Sequence, residues 1–258
     1  MSRRTFIFPV VLALVPASAG ASAGRPPVAL VASPAHVVLA GSGRTTLHVT
    51  NSGTTRVAVD VFRAGFALDL RGRPRIVWSG NARSAASWLT LQPTHFTVGP
   101  RATASLVVTA KVPRGAEPGD HDALALLATR PLANGRVAVR LRLGVVVAVR
   151  VPGTIVRRLE LGALNVARSD RATELELTVV NSGNVTESLR GARVVLSKPR
   201  KNHTVAAASA SSRDVRPGTR GVIAFRYRRT LHGWLTARVV IPPNEGRRRL
   251  QRTYRIRL

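Results

Sequence analysis

Apolar residues alternate with other residues along most of this chain, and this period of two constrains the elements it can form. In residues 137–151 every second residue is valine or leucine, and Arg140, Arg142 and Arg150 lie between them. Residues 104–112 alternate in the same way. Such a pattern is typical of strands with one buried face, and no stretch has the apolar spacing of a capped amphipathic helix. The sequence therefore predicts an all-β protein.

The alternating stretch at residues 137–151 is longer than an ordinary strand. Fully extended, it would run about 50 Å at about 3.3 Å per residue. Gly144 lies inside it, and a glycine within a strand often marks a bulge or a close backbone approach. We expect the strand to bulge or break at Gly144.

A short pattern occurs twice and indicates an internal repeat. Residues 47–53 read Leu-His-Val-Thr-Asn-Ser-Gly, and residues 177–183 read Leu-Thr-Val-Val-Asn-Ser-Gly. Each copy is followed by a Val-x-Pro turn, at residues 98–100 and 215–217, and then by another alternating stretch. Asparagine and glycine are the residues that supply positive φ angles in hairpin turns, and we expect that role here. The repeat predicts two homologous modules with different loop lengths.

Short strands at this spacing, in units of this size, favour two tandem immunoglobulin-like β-sandwich domains. We place the first domain at residues 24–152 and the second at residues 153–258, with a hinge at residues 151–154. A single large β-barrel is the competing architecture.

The amino terminus has the features of a secretory signal peptide at residues 1–23. Arg3 and Arg4 precede an apolar run at residues 6–16, and small residues at positions 17–23 offer cleavage sites. The run is shorter than the roughly 20 residues that a transmembrane helix needs. We expect an exported, secreted protein with no membrane span after the leader is removed.

The sequence contains little that points to catalysis. It has no cysteine, which excludes disulfides, thiolate metal ligands and a cysteine nucleophile. The densest polar cluster is Asp120-His121-Asp122. Alternation along a strand would place His121 on the opposite face from both acids, so we expect a polar turn entering a strand rather than a cation site. With no metal-ligand spacing, nucleophile motif or phosphate loop, the sequence predicts no enzyme, no metal and no cofactor.

The charge is strongly basic, with 40 Lys+Arg against 12 Asp+Glu and a formal net charge of +28. Two arginine groups are the candidate binding residues. They are Arg140, Arg142 and Arg150 on one face of the long strand, and Arg247, Arg248 and Arg249 after a Pro-Pro-Asn-Glu-Gly turn. One interpretation is contact with an acidic wall polymer or with lipid headgroups. The other is a solvated face that keeps strand edges from pairing with other chains.

Aromatic residues are scarce, at 4% of the chain, whereas dedicated single-strand nucleic-acid binders usually stack bases on aromatic side chains. We therefore expect no nucleic-acid partner. Trp88 and Trp234 lie in strand-like contexts, and we expect both to pack in the core.

Residues 88–130 carry a resemblance to a known family. The segments Trp88–Pro93 and Phe96–Pro100, and the Val-Pro…Pro-Gly turn at residues 112–121, resemble the peptidoglycan-binding domain of WxL-interacting proteins. The resemblance implies an exported, non-catalytic wall protein with an immunoglobulin-like first module. Members of that family usually end in a transmembrane helix and a basic tail, and this sequence departs from that pattern, so we do not extend the resemblance to surface anchoring or to the family's scaffold role.

The first module is also similar to the amino-terminal domain of periplasmic pilus chaperones, with an early strand, an Asn-containing turn and a late Pro-rich turn before a strand. Those chaperones donate a strand to an incomplete subunit. The apolar stretch 137–151 with its flanking arginines is the part of this chain suited to that role.

Two functional hypotheses follow. The first is a secreted, non-catalytic cell-envelope binding protein that associates with peptidoglycan or acidic wall polymers and is located at the cell wall. The alternative is a chaperone-like assembly module that binds a protein client by β-strand addition. The expected partner is accordingly a cell-wall polymer or a surface protein.

Overall fold

The structure is a computed structural model that describes residues 28–78, 83–130, 132–134, 137–169, 172–199, 203–210, 213–227, 231–244 and 246–258. The signal peptide predicted at residues 1–23 lies outside these residues. Within them, helix is confined to one 3-10 turn at Ala86–Trp88, and everything else that is regular is β-strand. No helix in these ranges is long and apolar enough to cross a membrane.

The strands are short and follow one another closely. In the first half of the chain they are β1 (Leu30–Ser33), β2 (His36–Ala40), β3 (Gly43–Asn51), β4 (Val57–Leu68), β5 (Pro74–Val77), β6 (Leu89–Gln92), β7 (His95–Val98), β8 (Thr103–Ala110), β9 (Gly119–Thr129), β10 (Leu132–Asn134), β11 (Val137–Val139) and β12 (Arg142–Val151). In the second half they are β13 (Leu159–Ser169), β14 (Ala172–Asn181), β15 (Glu187–Ser188), β16 (Arg193–Ser197), β17 (Thr204–Ser209), β18 (Asp214–Val215), β19 (Thr219–Tyr227), β20 (Trp234–Ile241) and β21 (Leu250–Arg257).

The first domain is a sandwich of two sheets. A 4-stranded sheet has the order β1-β3-β8-β6, and a 6-stranded sheet has the order β2-β12-β9-β4-β5 with β7 also paired to β4. The first strand of the fold is divided between them, because β1 pairs with β3 while β2 pairs in parallel with β12. The polypeptide therefore crosses from one sheet to the other at residues 34–35.

The alternation seen in the sequence becomes the core of this sandwich. Leu106 and Val108 of β8 face Val145, Val147 and Val149 of β12, and all five side chains are 0–1% exposed. Because successive side chains point to opposite faces of a strand, the residues between them face outward. Burial of aliphatic side chains at this level contributes about 1.5–3 kcal/mol for each residue.

The second domain is a second sandwich with its own core. It has a 3-stranded sheet in the order β13-β14-β19, a 4-stranded sheet in the order β17-β16-β20-β21, and a short pair of β15 with β18. Phe225, Leu175 and Leu196 lie between the two sheets and are 0–1% exposed. The prediction of an all-β chain with two immunoglobulin-like sandwiches is confirmed, and the single barrel is wrong. The division at residue 152 stays a prediction, although β12 ends at Val151 and β13 begins at Leu159.

The repeated Asn-Ser-Gly sequence has a different role from the predicted one. Neither Gly53 nor Gly183 is among the residues with positive φ. Instead Asn51 and Asn181 are fully buried, and the Oδ1 of each accepts a hydrogen bond from the glycine amide two residues later, at 3.0 Å in both domains. The repeated asparagine is thus a buried tie for the turn.

Each asparagine amide also joins this turn to the Val-x-Pro turn of the same domain. Asn51 Nδ2 donates to the Val98 and Gly99 carbonyls at 3.3 and 3.2 Å, and Asn181 Nδ2 donates to the Val215 carbonyl at 2.9 Å. The two sequence signatures of the repeat are therefore in contact in both domains. This shared contact supports the inference that the two domains are homologous modules.

Two other sequence expectations are corrected. The long stretch 137–151 is interrupted at Arg140 and Leu141, between β11 and β12, while Gly144 continues β12 in regular register opposite Leu126. Trp88 is partly buried against the first core, as expected, but Trp234 is 50% exposed. Trp234 opens β20 with its side chain on the outer face, where Arg255 covers it.

Substituting Asn181→Ala is expected to lower the free energy of unfolding by about 2–3 kcal/mol, because it leaves buried backbone groups without their partners. Asn51→Ala is expected to behave in the same way. Urea-induced unfolding followed by circular dichroism measures the change. Ser182→Ala, at the exposed neighbouring position, is the control and is expected to change stability by less than about 0.5 kcal/mol. Equal stability of the two variants would contradict the role given to the asparagine.

Candidate functional site

A cleft of about 440 Å³ lies between the two domains, on the outer face of the 6-stranded sheet. The first domain contributes outward side chains of β2, β4, β9 and β12, and the second contributes loop residues and short strands. The polar and charged residues that line it are His36, Asp120, Asp122, Arg150, Thr186, Ser188, Asp214, Arg216 and Asn244, and the apolar ones are Val38, Phe66, Leu68, Val146 and Ala148. This arrangement makes the cleft the principal candidate site.

Asp120 is the main polar link on the floor of the cleft. It lies opposite Arg150 in the β9–β12 ladder, and Arg150 donates from Nε and Nη2 to its two oxygens at 2.7 and 3.0 Å. The backbone amide of Thr186, in the second domain, donates to the same carboxylate at 2.8 Å. Burial would raise the pKa of Asp120, but the hydrogen bonds from Arg150 and Thr186 outweigh it and hold the pKa below its ordinary value of 3.8. Asp120 is therefore a stable anion that joins the domains.

Asp122 makes a second link across the cleft. Arg216, from the second domain, donates from Nε to Asp122 Oδ2 at 2.6 Å and from Nη1 to the Phe66 carbonyl at 2.7 Å. Its guanidinium also lies 4.2 Å from the centre of the Phe66 ring, a favourable cation–π geometry. Burial raises the pKa of Asp122 above 3.8 despite the attraction of Arg216. The two acids lie two residues apart on one strand, yet their pKa values are shifted in opposite directions.

The backbones of the two domains approach closely beside these ion pairs. Asp120 N donates to the Asn184 carbonyl at 2.8 Å, and a Cβ on Gly119, whose φ is +112°, would lie 2.1 Å from that oxygen. Asn184 Nδ2 also donates to the Pro118 carbonyl at 3.1 Å. Only glycine permits this approach, so the Pro118-Gly119 turn of the sequence is an interdomain contact.

A third contact lies at the tip of the β4–β5 hairpin. Val222 N donates to the Leu70 carbonyl at 2.7 Å, and the Arg213 guanidinium donates to the carbonyls of Asp69 and Leu70 at 3.1 and 2.6 Å. Arg71 forms an ion pair with Glu176 at 2.7 Å. Three separate sets of hydrogen bonds thus fix the orientation of the two domains.

Next to the cleft, β12 has an edge that is only half covered. One side of β12 pairs with β9 over its whole length, from Arg142 to Val151, whereas β2 covers the other side only from Val146 to Arg150. Val146 N donates to the Ala35 carbonyl, so even-numbered residues direct their backbone groups to the β2 side. By alternation, the N–H and C=O of Arg142 and Gly144 project from this side, and the described strands supply no partner for them there. We call residues 142–145 the open edge.

The surroundings of the open edge are apolar on both faces of the sheet. On the inner face Leu143 is only partly buried against the first core. On the outer face Val146 contacts a small cluster of Ala64, Phe66 and Leu124, and Val38 of β2 is 54% exposed. An exposed apolar surface beside unpaired backbone groups is the combination that peptide-binding sheet edges offer.

The predicted binding residues do not form one basic surface. Arg150 lies in the cleft as the partner of Asp120, whereas Arg142 is exposed and is the first residue of the open edge. Arg140 is exposed, and its Nε donates to the Thr129 carbonyl at 3.3 Å. Arg150 lies eight residues along β12 from Arg142, which is roughly 26 Å in an extended strand. The group is therefore dispersed along the sheet.

The second predicted group is divided between the interior and the surface. Arg248 and Arg249 are exposed, but Arg247 is 8% exposed and donates from Nε to Glu187 Oε2 at 2.8 Å. Arg157 donates to the other oxygen of Glu187 at 3.1 Å. Glu187 is fully buried, so Arg247 is a structural counterion in the core of the second domain. Whether the exposed arginines bind a ligand stays a prediction.

His121 points away from its neighbouring acids, as expected. Its ring lies 4.5 Å from the Trp88 ring, and Nε2 is 2.9 Å from the Glu117 carbonyl. In the described parts of the chain, no group of three or more His, Asp or Glu side chains is placed to hold a metal ion.

Reasoning from the sequence did not identify the residues from the second domain that complete the cleft. Arg216 lies inside the Val-x-Pro turn, and Thr186 lies three residues after the Asn-Ser-Gly turn. Their position in or close to the repeated turns is the signal that could have found them, because these turns lie at the same end of each sandwich. Their pairing with Asp120 and Asp122 depends on how the domains meet.

No family model matches the chain, and no curated protein matches it. The chain is similar to the solved structures of the YadV chaperone (TM-score 0.49, 10% identity, 88% of this chain and 99% of that one) and of the class 5 fimbriae chaperone CfaA (0.49, 11%, 89% and 100%). It is also similar to the Salmonella enterica SafA pilin in complex with the SafB chaperone (0.46, 13%, 89% and 96%).

These comparisons correct the first of the two family resemblances. Membership of the WxL-interacting family, and with it peptidoglycan binding, is wrong, because no family model matches and the solved structures to which the chain is similar include a class 5 fimbriae chaperone and a chaperone in complex with a pilin. The segments that carried the resemblance have local structural roles. Trp88–Pro93 is a 3-10 turn and an outer strand, and the Pro118-Gly119 turn is an interdomain contact.

The opposite pKa shifts of the two cleft acids predict opposite pH dependence for their variants. The stability that ionised Asp120 contributes is present above pH 3.8 and is lost as the pH falls through its lowered folded-state pKa. Asp120→Asn is therefore expected to cost about 2 kcal/mol at pH 7 and less below pH 3.8.

For Asp122 the sign reverses. Its folded-state pKa is raised, so the native protein loses stability as the pH rises from 3.8 through that value. Relative to the unsubstituted protein, Asp122→Asn is expected to gain stability over that window. Urea unfolding of the two variants and of the unsubstituted protein across the acidic range measures how the stability difference caused by each substitution changes with pH. A change of the same sign for both substitutions would contradict this assignment.

Proposed function

We propose that this chain is a chaperone-like assembly module that binds a protein client by β-strand addition at the open edge of β12, and that it acts by binding rather than by catalysis. The observation that carries the proposal is that, on the β2 side of β12, the described strands leave residues 142–145 without a neighbour, although both faces beside them are apolar. An added strand would continue the line of β2 in the same sheet.

The backbone of the open edge supplies the hydrogen-bonding groups that an added strand needs. Arg142 and Gly144 each direct one N–H and one C=O outward, so a client strand can form the ordinary sheet ladder. Each such hydrogen bond contributes about 0.5–1.5 kcal/mol net. Backbone pairing provides affinity with little dependence on the client's sequence.

Side chains of the client would provide selectivity. A residue pointing inward beside the open edge would lie between the two sheets, next to Leu143 and the half-buried Leu30 and Ala32 of β1. These three side chains favour an apolar partner, because burying apolar surface contributes about 25 cal/mol per Å². We infer that the client segment is extended and carries apolar residues at every second position.

The second domain limits where the client can lie. It closes one end of the cleft through Arg216 and Thr186, so the body of the client must occupy the outer face of the 6-stranded sheet or extend beyond the open edge. The SafB chaperone forms a complex with the SafA pilin, and an exported protein subunit is the client class that we propose. Export of the chain itself is consistent with the signal peptide predicted from its sequence.

Gly144 gives a direct test of strand addition. Gly144→Pro removes an N–H that projects from the open edge, whereas Gly144→Ala keeps it, and the new Cβ would lie an ordinary 3.5 Å from Leu124. The probe is a capped, fluorescent nine-residue peptide of alternating valine and threonine, titrated by polarisation. We expect Gly144→Pro to weaken binding at least about tenfold and Gly144→Ala to leave it within about twofold.

Two controls make the result decisive. A peptide of the same composition with its valines grouped together should bind about tenfold more weakly, because it cannot present one apolar face. Urea unfolding checks that both Gly144 variants remain folded, and Arg142→Pro replaces Gly144→Pro if the latter does not. Unchanged peptide binding by a folded proline variant would refute addition at this edge.

A further inference from the structure

The outer face of the second domain's 4-stranded sheet presents several arginines, and none of its strands contains an acidic residue. Along β20 the side chains of Leu235, Ala237 and Val239 face the core, so Trp234, Thr236 and Arg238 face outward. The outward residues that matter here are Arg193 of β16, Trp234 and Arg238 of β20, and Arg255 and Arg257 of β21. We call these five residues the cationic face.

The register of the strands brings these side chains onto one surface. Arg257 lies opposite Trp234, and Val195, two residues after Arg193 on β16, lies opposite Arg238. The Arg255 guanidinium lies 4.6 Å from the centre of the Trp234 ring. With strands about 4.8 Å apart and about 3.3 Å per residue, the face extends roughly 10 Å across the strands, from β16 to β21, and roughly 20 Å along them, from the level of Trp234 to that of Arg193.

Among the described residues, no counterion neutralises this face. The sequence places none of its aspartates or glutamates in β16, β17, β20 or β21. In the part of the chain that the structure describes, none of the four arginines forms an ion pair. The opposite sheet of the same domain differs, because Glu174 pairs there with Arg226 at 2.8 Å. The two sheets of this domain therefore differ in charge: the opposite sheet carries paired acidic and basic side chains, whereas the strands of this sheet carry basic ones only.

The form of the cationic face is open and polar. A shallow groove of about 340 Å³ runs across it, lined with hydroxyl groups and with Arg238 and Gln251. Trp234 is the first residue of β20, at one end of the cationic face, and is 50% exposed. Guanidinium groups bind phosphate oxygens with paired hydrogen bonds, hydroxyl groups add donors, and a half-exposed indole is suited to the boundary between water and lipid.

We propose that the cationic face docks the protein onto a bilayer surface of anionic phospholipid. An extended array of positive charge on one sheet face complements a plane of phosphate groups, and Trp234 would insert at the headgroup level. None of the residues that line the interdomain cleft comes from β16, β17, β20 or β21. Docking through this face therefore leaves the open edge of β12 accessible.

The test is vesicle co-sedimentation at about 0.1 M salt, where the Debye length is about 10 Å. The vesicles are phosphatidylcholine alone and phosphatidylcholine with phosphatidylglycerol. The variant is Arg238→Ala/Arg255→Ala, and the control is Arg44→Ala/Arg56→Ala, which removes the same charge from exposed positions of the first domain. We expect binding only to the anionic vesicles, about 30-fold weaker for the face variant and less than about threefold weaker for the control.

A second measurement reports directly which face of the protein contacts the bilayer. It compares the unsubstituted protein with a Trp234→Phe variant. Brominated phosphatidylglycerol should quench the fluorescence of Trp234, and Trp234→Phe, which retains Trp78 and Trp88, should lose that quenching. Equal weakening by the face and control variants, or quenching that persists in Trp234→Phe, would overturn the proposal. Face-dependent binding to soluble polyphosphate, with vesicle binding independent of the face, would also overturn it.

Discussion

The ladder between β9 and β12 is the interaction on which both the domain interface and the open edge depend. Its register places Arg150 opposite Asp120 and Arg142 opposite Ala128. A shift of one residue would turn every side chain of β12 to the other face of the sheet. It would bury arginine between the sheets and remove the partner of Asp120. Because apolar side chains of β12 fill the first core, this register is strongly fixed, and the half-covered side of β12 is a stable feature.

The domain interface is built mainly from charged groups and backbone contacts rather than from an apolar surface. Asp120 and Asp122 take hydrogen bonds from Thr186 and Arg216, and Gly119 lets the backbones meet. Such contacts are directional, so they fix the angle between the domains more closely than apolar packing of equal area would. The arginines of this basic sequence therefore have two kinds of environment. Some are buried counterions, and others, among the described residues, lie without an ion-pair partner on the outer face of the second domain's 4-stranded sheet.

The sequence was sufficient for the strands and the two-domain architecture, because alternation reports which side of each strand is buried. It identified the Asn-Ser-Gly repeat but assigned its asparagines to turn geometry, since a buried tie such as Asn181 to Val215 depends on contacts between distant segments. Arg247 and Trp234 were misplaced for the same reason. Their environments are set by Glu187 and Arg255, and pairing of this kind is decided by strand register and domain contact, which periodicity does not encode.

Residue-resolved amide hydrogen exchange tests the central claim, strand addition at β12, most directly. The measurement compares the protein with and without the alternating valine–threonine peptide. The account predicts slower exchange at Arg142 and Gly144, whose amides project from the open edge, and unchanged exchange at Leu143 and Val145, whose amides already face β9. Protection that falls on another sheet edge, or exchange at Arg142 and Gly144 that the bound peptide leaves unchanged, would contradict it.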